Sequence, residues 1–262
     1  MKELIKKLIP DSFFRYYKNQ LKKKKIKHHE GDNVICPFCH SRFSEFGSFG
    51  LVPRKNAECH NCESLERHRL LWLYFNQKTK LFKTAKKIRL LHFAPEKIFY
   101  DIFSNHQNIE YYPCDLYPET YRYHGNVPIS KVDVTKIPFE DNYFDVVICN
   151  HVLEHVIEDQ LAMSEIYRVL KKGGWSILQV PIDQDREVTF EDFSIVSPKE
   201  RLRVFGQKDH VRCYGTDYIE RLKKASFIVS EDDFIKSFSK EDLFKYGLMD
   251  SELIYHCEKK NK

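Results

Sequence analysis

Four of the eight cysteines fall as Cys36-Pro-Phe-Cys39 and, after nineteen intervening residues, Cys59-His-Asn-Cys62. A C-x2-C step closes a tight turn that points both sulfurs the same way. Two such steps at this separation bring four thiolates to one tetrahedral zinc ion, a structural site with no open position. Iron in a rubredoxin-like knuckle is the rival occupant. His40 and His60 sit beside the ligands and read as bystanders, because four sulfurs already complete the shell. Gly47 and Gly50 between the pairs suit the hairpin turns of a small ribbon. Metal binding requires reduced thiols. Pro10 and Asp11 interrupt any secretory apolar core, and no apolar run approaches the roughly 18 residues that span a bilayer. A cytoplasmic chain is therefore expected, with its cysteines as metal ligands or buried thiols rather than a disulfide framework.

The elements that must position such a cluster come next. At 262 residues and 42% hydrophobic, the chain has room for one α/β domain plus a smaller module. Its net charge of +5 is concentrated in residues 1–27, which hold ten Lys/Arg against Glu3 and Asp11 and leave 33 basic and 36 acidic residues for the rest. Leu4, Ile5, Leu8 and Ile9 predict a short helix that Pro10 ends, and Phe13, Tyr17 and Leu21 one face of a second. This basic arm is either a solvated helix or a foot on anionic lipid or RNA, peripheral to a membrane in the lipid case. After Cys62, residues 63–75 predict a helix packing the ribbon against the next domain. Its Arg67 and Arg69 either pair with carboxylates or present an anion-binding face.

From Lys87 the pattern alternates between strand and helix. Strands are expected at 87–93, 109–114, around 131–134, 144–149 and 175–181, with helices around 98–103 and 158–170, the latter stopped by Gly173-Gly174. Continuous apolar strands separated by helices argue for a parallel sheet covered on both faces. Thr216 is expected to cap a helix through Ala225, followed by closing strands at 227–229 and 253–256. Ser197-Pro198-Lys199-Glu200 reads as a capping box inside a long insert, with Gly206 as the helix end. The expected organisation is an arm over 1–27, a ribbon with its helix over 28–80, and an α/β domain over 81–262 with the insert at 182–215.

The run from Ile137 through Phe144-Asp-Val-Val-Ile-Cys-Asn-His-Val-Leu-Glu-His-Val156, with Glu165-Ile-Tyr-Arg-Val-Leu-Lys-Lys-Gly-Gly-Trp-Ser-Ile-Leu-Gln-Val-Pro181, resembles the class I S-adenosylmethionine-dependent methyltransferases of the small-molecule type. The resemblance extends over about residues 85–260. It implies a doubly wound, mostly parallel seven-stranded Rossmann-like sheet with S-adenosylmethionine over the carboxyl ends of the strands. On that resemblance Asp115 accepts from the ribose hydroxyls, Asp133 meets the adenine amino group with Val134 against the ring, and Asn150 and His151 lie near the methionine portion. The family's glycine-rich first turn is replaced by His92-Phe93-Ala94-Pro95-Glu96, so His92, Ala94, Pro95 and Glu96 become the expected contacts there. This alanine-proline-glutamate turn resembles a bacterial subgroup that carries an N-terminal zinc ribbon.

Methyl transfer to a hydroxyl or a protonated amine needs a general base. The candidates are His151, Asp183, Glu191, Asp192, His210 and Tyr214. Arg201, Arg203 and Arg212 in the insert could grip a phosphate or carboxylate, which, with Glu191, Asp192 and Tyr214, makes the insert the expected pocket for a small anionic acceptor or a nucleotide-linked sugar. The opposing reading of the same charges is a lid held by its own salt bridges. Two other functions stay open: an RNA methyltransferase that docks through ribbon and arm, against which stands the net acidic body, and a non-catalytic binding protein.

Overall fold

A computed structural model describes residues 11–50, 52–123 and 125–261, so the short helix expected over Leu4–Ile9 lies outside the described residues. The chain divides into two compact units, one of residues 1–79 with 234–252 and one of residues 80–233 with 253–262.

The first unit starts with helix α1 (Asp11–His28), whose last turn carries Lys25, Lys27 and His28 where the helix dipole favours positive charge. Lys25 Nζ lies 3.0 Å from a Glu58 carboxylate oxygen. Two antiparallel pairs follow, β1 (Glu30–Ile35) with β2 (Arg42–Phe43) and β3 (Gly47–Phe49) with β4 (Arg54–Glu58). Their core is small: Val34, Phe43 and Phe46 packed on Cys36 and Cys59. Helix α2 (Glu66–Gln77) starts three residues later than the sequence pattern suggests. Among the described residues no carboxylate forms a salt bridge with Arg69. Its buried guanidinium donates to the carbonyls of Ser64 at 2.6 Å, Ala57 at 2.8 Å, Tyr246 at 2.7 Å and Gly247 at 2.7 Å. One side chain thus ties the ribbon to the end of helix α7 (Lys240–Tyr246), and Asn56 Nδ2, which donates to Phe244 O at 3.2 Å, adds a second tie within this unit.

The second unit is a seven-stranded sheet with helices on both faces. In chain order its strands are β5 (Ile88–Phe93), β6 (Ile109–Asp115), β7 (Ser130–Lys131), β8 (Phe144–Asn150), β9 (Leu170–Gln179), β12 (Ile228–Asp232) and β13 (Ile254–Glu258). Their spatial order is β12-β13-β9-β8-β5-β6-β7, and β13 runs antiparallel to both its neighbours while the rest are parallel. Alternation along β5 sends Leu91 and Phe93 to the core shared with helices α4 (Asp159–Val169) and α6 (Tyr218–Lys224). It sends His92 to the opposite face, against Phe99 and Phe103 of helix α3 (Lys97–Asn105). The chain leaves β5 toward β6 on one side and reaches β8 on the other, so the sheet's switch point lies between the carboxyl ends of β5 and β8. Open α/β sheets bind ligands there.

Several expected boundaries move. The third strand spans only Ser130–Lys131, and Asp133 lies beyond it in a turn. Helix α4 ends at Val169 without help from glycine, and Leu161 on it is exposed. Gly173-Gly174 instead sits inside β9, where Gly173 adopts φ 72° and the pairing with β8 slips between Phe144 and Val146. A left-handed residue in a bulge favours glycine for the same reason a helix end does. Helix α6 begins at Tyr218 after Asp217, not at Thr216. In the insert, β10 (Phe190–Glu191) pairs with β11 (Arg212–Cys213) around helix α5 (Pro198–Phe205). Proline does open α5, and Gly206 closes it at φ 81°, but the Ser197 side chain makes no capping bond. No helix among the described residues is long and apolar enough to cross a membrane.

Candidate active site and four-cysteine cluster

The two cysteine knuckles repeat one hydrogen-bond pattern. Cys36 N–H donates to Ser41 O at 3.0 Å and His40 N–H to Cys36 O at 2.8 Å; Cys59 N–H donates to Ser64 O at 3.0 Å and Glu63 N–H to Cys59 O at 2.9 Å. Each turn is closed by a non-glycine residue in the left-handed region, His40 at φ 56° and Glu63 at φ 61°. Such a conformation costs about 1–2 kcal/mol and persists only where its surroundings impose it. Cys36 and Cys62 Sγ lie 3.5 Å apart, Cys39 and Cys59 Sγ 3.6 Å apart, and all four sulfurs fall within 4.8 Å of one another. Sulfurs about 2.3 Å from a central zinc are about 3.8 Å apart, whereas a disulfide bond is about 2.0 Å. The donor set fits a tetrahedral metal ion. Hydrogen bonds from Cys36 and then Cys59 hold the Cys39 thiol well below its ordinary range. Ser64 Oγ lies 3.3 Å from Cys36 Sγ and 3.2 Å from Cys62 Sγ, a hydroxyl able to donate to thiolates. His60 is a bystander: its Nε2 lies 3.0 Å from Glu45 O and its ring stacks on His29 at 4.1 Å.

At the carboxyl ends of the parallel strands, Ala94 adopts φ 46°. Alanine here takes the backbone shape for which a glycine-rich turn is ordinarily used, at a cost glycine avoids. Pro95 is buried, and its carbonyl accepts from Tyr123 Oη at 3.0 Å. His92, expected to touch cofactor, has its ring engaged by the chain itself. It is fully buried, with Nδ1 2.9 Å from Tyr111 Oη and Nε2 2.9 Å from Glu96 Oε2. Both ring nitrogens are committed, so His92 positions Glu96. The other Glu96 oxygen lies 3.3 Å from Asn150 Nδ2, joining the first strand's turn to the end of β8 across the switch point.

Asp115 at the end of β6 accepts from Tyr117 N–H at 2.7 Å and Tyr121 Oη at 2.7 Å. Burial and then the bond to Asp115 push the Tyr121 phenol above its ordinary range, so it stays a donor. A carboxylate offers about four acceptor directions, which leaves two at Asp115 for further hydroxyls. Asp133 is exposed, and its Oδ1 accepts from Thr135 N–H at 2.8 Å and Thr135 Oγ1 at 2.7 Å, a local turn. Val134 is buried in the sheet core. Asn150 Oδ1, His151 Nε2 and Glu154 Oε2 are all buried atoms without a hydrogen-bond partner. Buried polar atoms are rarely left unsatisfied, and three at one strand end mark a place where a ligand is expected. His151 itself stands at φ 54°, with Nδ1 3.4 Å from Glu154 Oε1.

The insert departs most from its expected role. Arg212 is buried: Nε donates to Glu191 Oε2 at 2.9 Å, Nη1 to Leu153 O at 2.8 Å and to Val156 O, and Nη2 to Ile157 O at 2.9 Å. Arg221 completes the network, bidentate on Asp159 at 3.0 and 2.8 Å and 3.2 Å from Glu191. Tyr214 Oη donates to Asp159 Oδ2 at 2.8 Å, and burial pushes its phenol well up. Arg212, Tyr214 and Glu191 are therefore committed to one another and to the chain's own carbonyls rather than free for an acceptor. Arg201 Nε donates to Ile195 O at 2.9 Å, Arg203 is exposed, and Asp192 holds Ser194 N–H at 2.9 Å in a surface turn. Asp183 lies 3.4 Å from Arg186 Nε. His210 is buried, which pushes its imidazole pKa down, and packs edge-on to His155 at 4.7 Å. Glu154 and His155, which the sequence pattern does not single out, stand in the same Asn150–His155 run, and each has a ligand atom within 4.8 Å of one on His210.

Comparison with known proteins bears on this unit. Residues 99–178, from within α3 to the end region of β9, match a family model described as a methyltransferase domain. A demethylmenaquinone methyltransferase of Streptomyces avermitilis is 39% identical over 66 residues, covering 24% of this chain and 29% of the relative. An uncharacterized protein of Methanocaldococcus jannaschii is 41% identical over 66 residues, covering 24% and 28%. The matched stretch thus spans under a third of the curated relatives' length. Among solved structures, one described as a putative methyltransferase from Bacillus halodurans is similar at 19% identity and TM-score 0.40, covering 68% of this chain and 92% of that one. Another, described as a putative sarcosine dimethylglycine methyltransferase from Galdieria sulphuraria, is similar at 14% identity and TM-score 0.48, covering 77% and 90%. Residues 99–178 are thus similar to a methyltransferase domain, over that segment and not over the whole chain.

Proposed function

We propose, from the likeness of residues 99–178 to a methyltransferase domain, that this chain transfers the methyl group of S-adenosylmethionine to a small molecule. The observation that carries this reading is the strand-end constellation: Ala94 in a left-handed turn, two open acceptor directions on Asp115, and the orphaned Asn150 Oδ1. Asp115 would take the ribose hydroxyls and Asn150 Oδ1 a donor of the methionine portion. When bound, the cofactor supplies a methyl group on a positively charged sulfur, open to attack by a nucleophile. Glu96 holds the Asn150 amide so that its oxygen faces the site, and His92 in turn holds Glu96. His151 is the candidate for moving the acceptor's proton: Nε2 is unpartnered, and Glu154 stands behind Nδ1 to orient the ring.

For the acceptor, we favour a molecule with an apolar portion. Arg212 is buried and Arg201 is tied to the Ile195 carbonyl, whereas Val188 is 67% and Val196 72% exposed, and Phe190, Phe193 and Leu202 are exposed with them. Curated relatives named as quinone C-methyltransferases accord with that class. The four-cysteine cluster is read as a structural zinc site, since four sulfurs leave no position for substrate.

Calorimetry with S-adenosylhomocysteine tests the cofactor reading, and transfer of labelled methyl to a panel of quinol-like and anionic acceptors tests the acceptor. Binding of S-adenosylhomocysteine with label on the quinol-like members is expected. No binding by the wild-type chain would overturn the assignment; label confined to hydrophilic anions would overturn the apolar acceptor alone.

A further inference from the structure

Beyond the cofactor site, one cluster contains metal-ligand chemistry that methyl transfer does not require. Glu154, His155 and His210 each present one ligand atom, all within 4.8 Å of one another. Glu154 and His155 come from the short 3-10 turn Leu153–His155 after β8, and His210 from the residues just before β11. A hydrogen bond from Val211 N–H to Glu154 O at 3.0 Å clamps the two backbones together. The approach is set by main chain, not by flexible surface side chains.

The unsatisfied atom is decisive. Glu154 has a side chain 2% exposed, and its Oε2 has no hydrogen-bond partner. Burying an unpaired carboxylate oxygen is costly, and a cation bound there removes the cost. One histidine is also held as a ligand would be: His155 Nδ1 lies 3.2 Å from Asp209 O, and His210 is buried edge-on against it at 4.7 Å. Ligating histidines commonly donate their second ring N–H to a carbonyl, which fixes the tautomer and leaves the other nitrogen's lone pair for the metal.

We propose that Glu154, His155 and His210 form a second metal site, distinct from the four cysteines, that takes a first-row divalent cation such as zinc. Two imidazoles and one carboxylate suit such ions and not calcium or magnesium, which prefer all-oxygen shells. Ligand atoms about 2.0–2.2 Å from a common zinc sit about 3.3 Å apart, so binding draws the three together. Three protein ligands leave a coordination position open to water or to an acceptor oxygen, unlike the closed cysteine cluster. The site follows directly on Asn150 and His151, and the other Glu154 oxygen is the one 3.4 Å from His151 Nδ1.

The test is metal analysis of the full-length chain, purified without chelator and with any affinity tag removed, after dialysis against a slight excess of zinc. Two equivalents are expected in the wild type and one in Cys39→Ser/Cys62→Ser. One is also expected in His210→Ala, with the cysteine-bound equivalent retained. Cobalt added to the chelator-stripped protein should give intense sulfur-to-metal charge-transfer absorption from one site and weak visible bands from the other. Only the weak bands should vanish in His210→Ala, and a Glu154→Gln variant should lose at least tenfold in cobalt affinity at that site should His210→Ala fail to fold. One equivalent in the wild type, or two in both His210→Ala and Glu154→Gln, would overturn the proposal whatever the methyltransferase assays show.

Discussion

The cysteine cluster and the strand-end site are assembled by opposite routes. Each knuckle is a local turn whose hydrogen bonds run between residues five or fewer apart, and the second copies the first. The strand-end site draws Glu96, Asp115 and Asn150 from three strands or their ends, and just beyond it Glu154 and His155 meet His210 of the insert. In the first region chemistry follows from spacing along the chain. In the second, adjacency exists only because the strand order reverses between the parallel neighbours β5 and β8. A further difference is what holds each one. The ribbon has few apolar side chains and leans on its ligands, whereas the sheet site stands on an extensive buried core.

That contrast is sharpest under metal loss. The Cys39→Ser/Cys62→Ser variant should lose the ribbon's cooperative unfolding, since structural zinc contributes on the order of 10 kcal/mol to small domains. Elemental analysis with a thermal melt checks this. Undiminished zinc and an unchanged melt would mean the ribbon is held by its apolar core after all.

Next in size is Arg212→Ala, expected to destabilise the sheet unit by about 3–5 kcal/mol because Asp159 and Glu191 lose a buried partner. Arg212→Lys should recover only part, having one charged head where the guanidinium has a fork of donors. Denaturant unfolding measures both. Normal stability with an impaired acceptor KM would return Arg212 to substrate recognition and make the insert a true pocket wall.

Asp115→Ala should weaken S-adenosylhomocysteine binding by roughly 10- to 150-fold, the loss of about 1.5–3 kcal/mol of charge-assisted hydrogen bonding, with little change in melting temperature. Asp133→Ala should change affinity less, because that carboxylate is exposed and tied to Thr135. Equal titrations for both variants and the wild type would move the cofactor away from β6.

The smallest effect belongs to the turn. Ala94→Gly should raise stability by about 0.5–1 kcal/mol, the relief of a left-handed alanine less the added flexibility of the unfolded chain. A fall in melting temperature would show that the Ala94 methyl group packs more than its backbone strains.

Much of this was legible in the residues themselves. The paired knuckles, the strand-helix alternation and the run from Ile137 to Pro181 depend on short-range spacing and on the period of apolar side chains, and those patterns survive in one dimension. Asp115 could be placed for the same reason, as the polar residue that ends an apolar strand. What sequence spacing could not resolve was partnership. His92 looked like a contact residue and serves Glu96; Arg212 looked like an anion receptor and serves Asp159 and Glu191. Arg69 reaches carbonyls at Tyr246 and Gly247, far along the chain, and Gly173 lies in a bulge and not at a helix end. A charged or polar side chain declares its chemistry in the sequence, but whether that chemistry is spent on the protein or left for a ligand depends on which distant groups the fold brings within about 3 Å of it. Only the tertiary structure sets those distances.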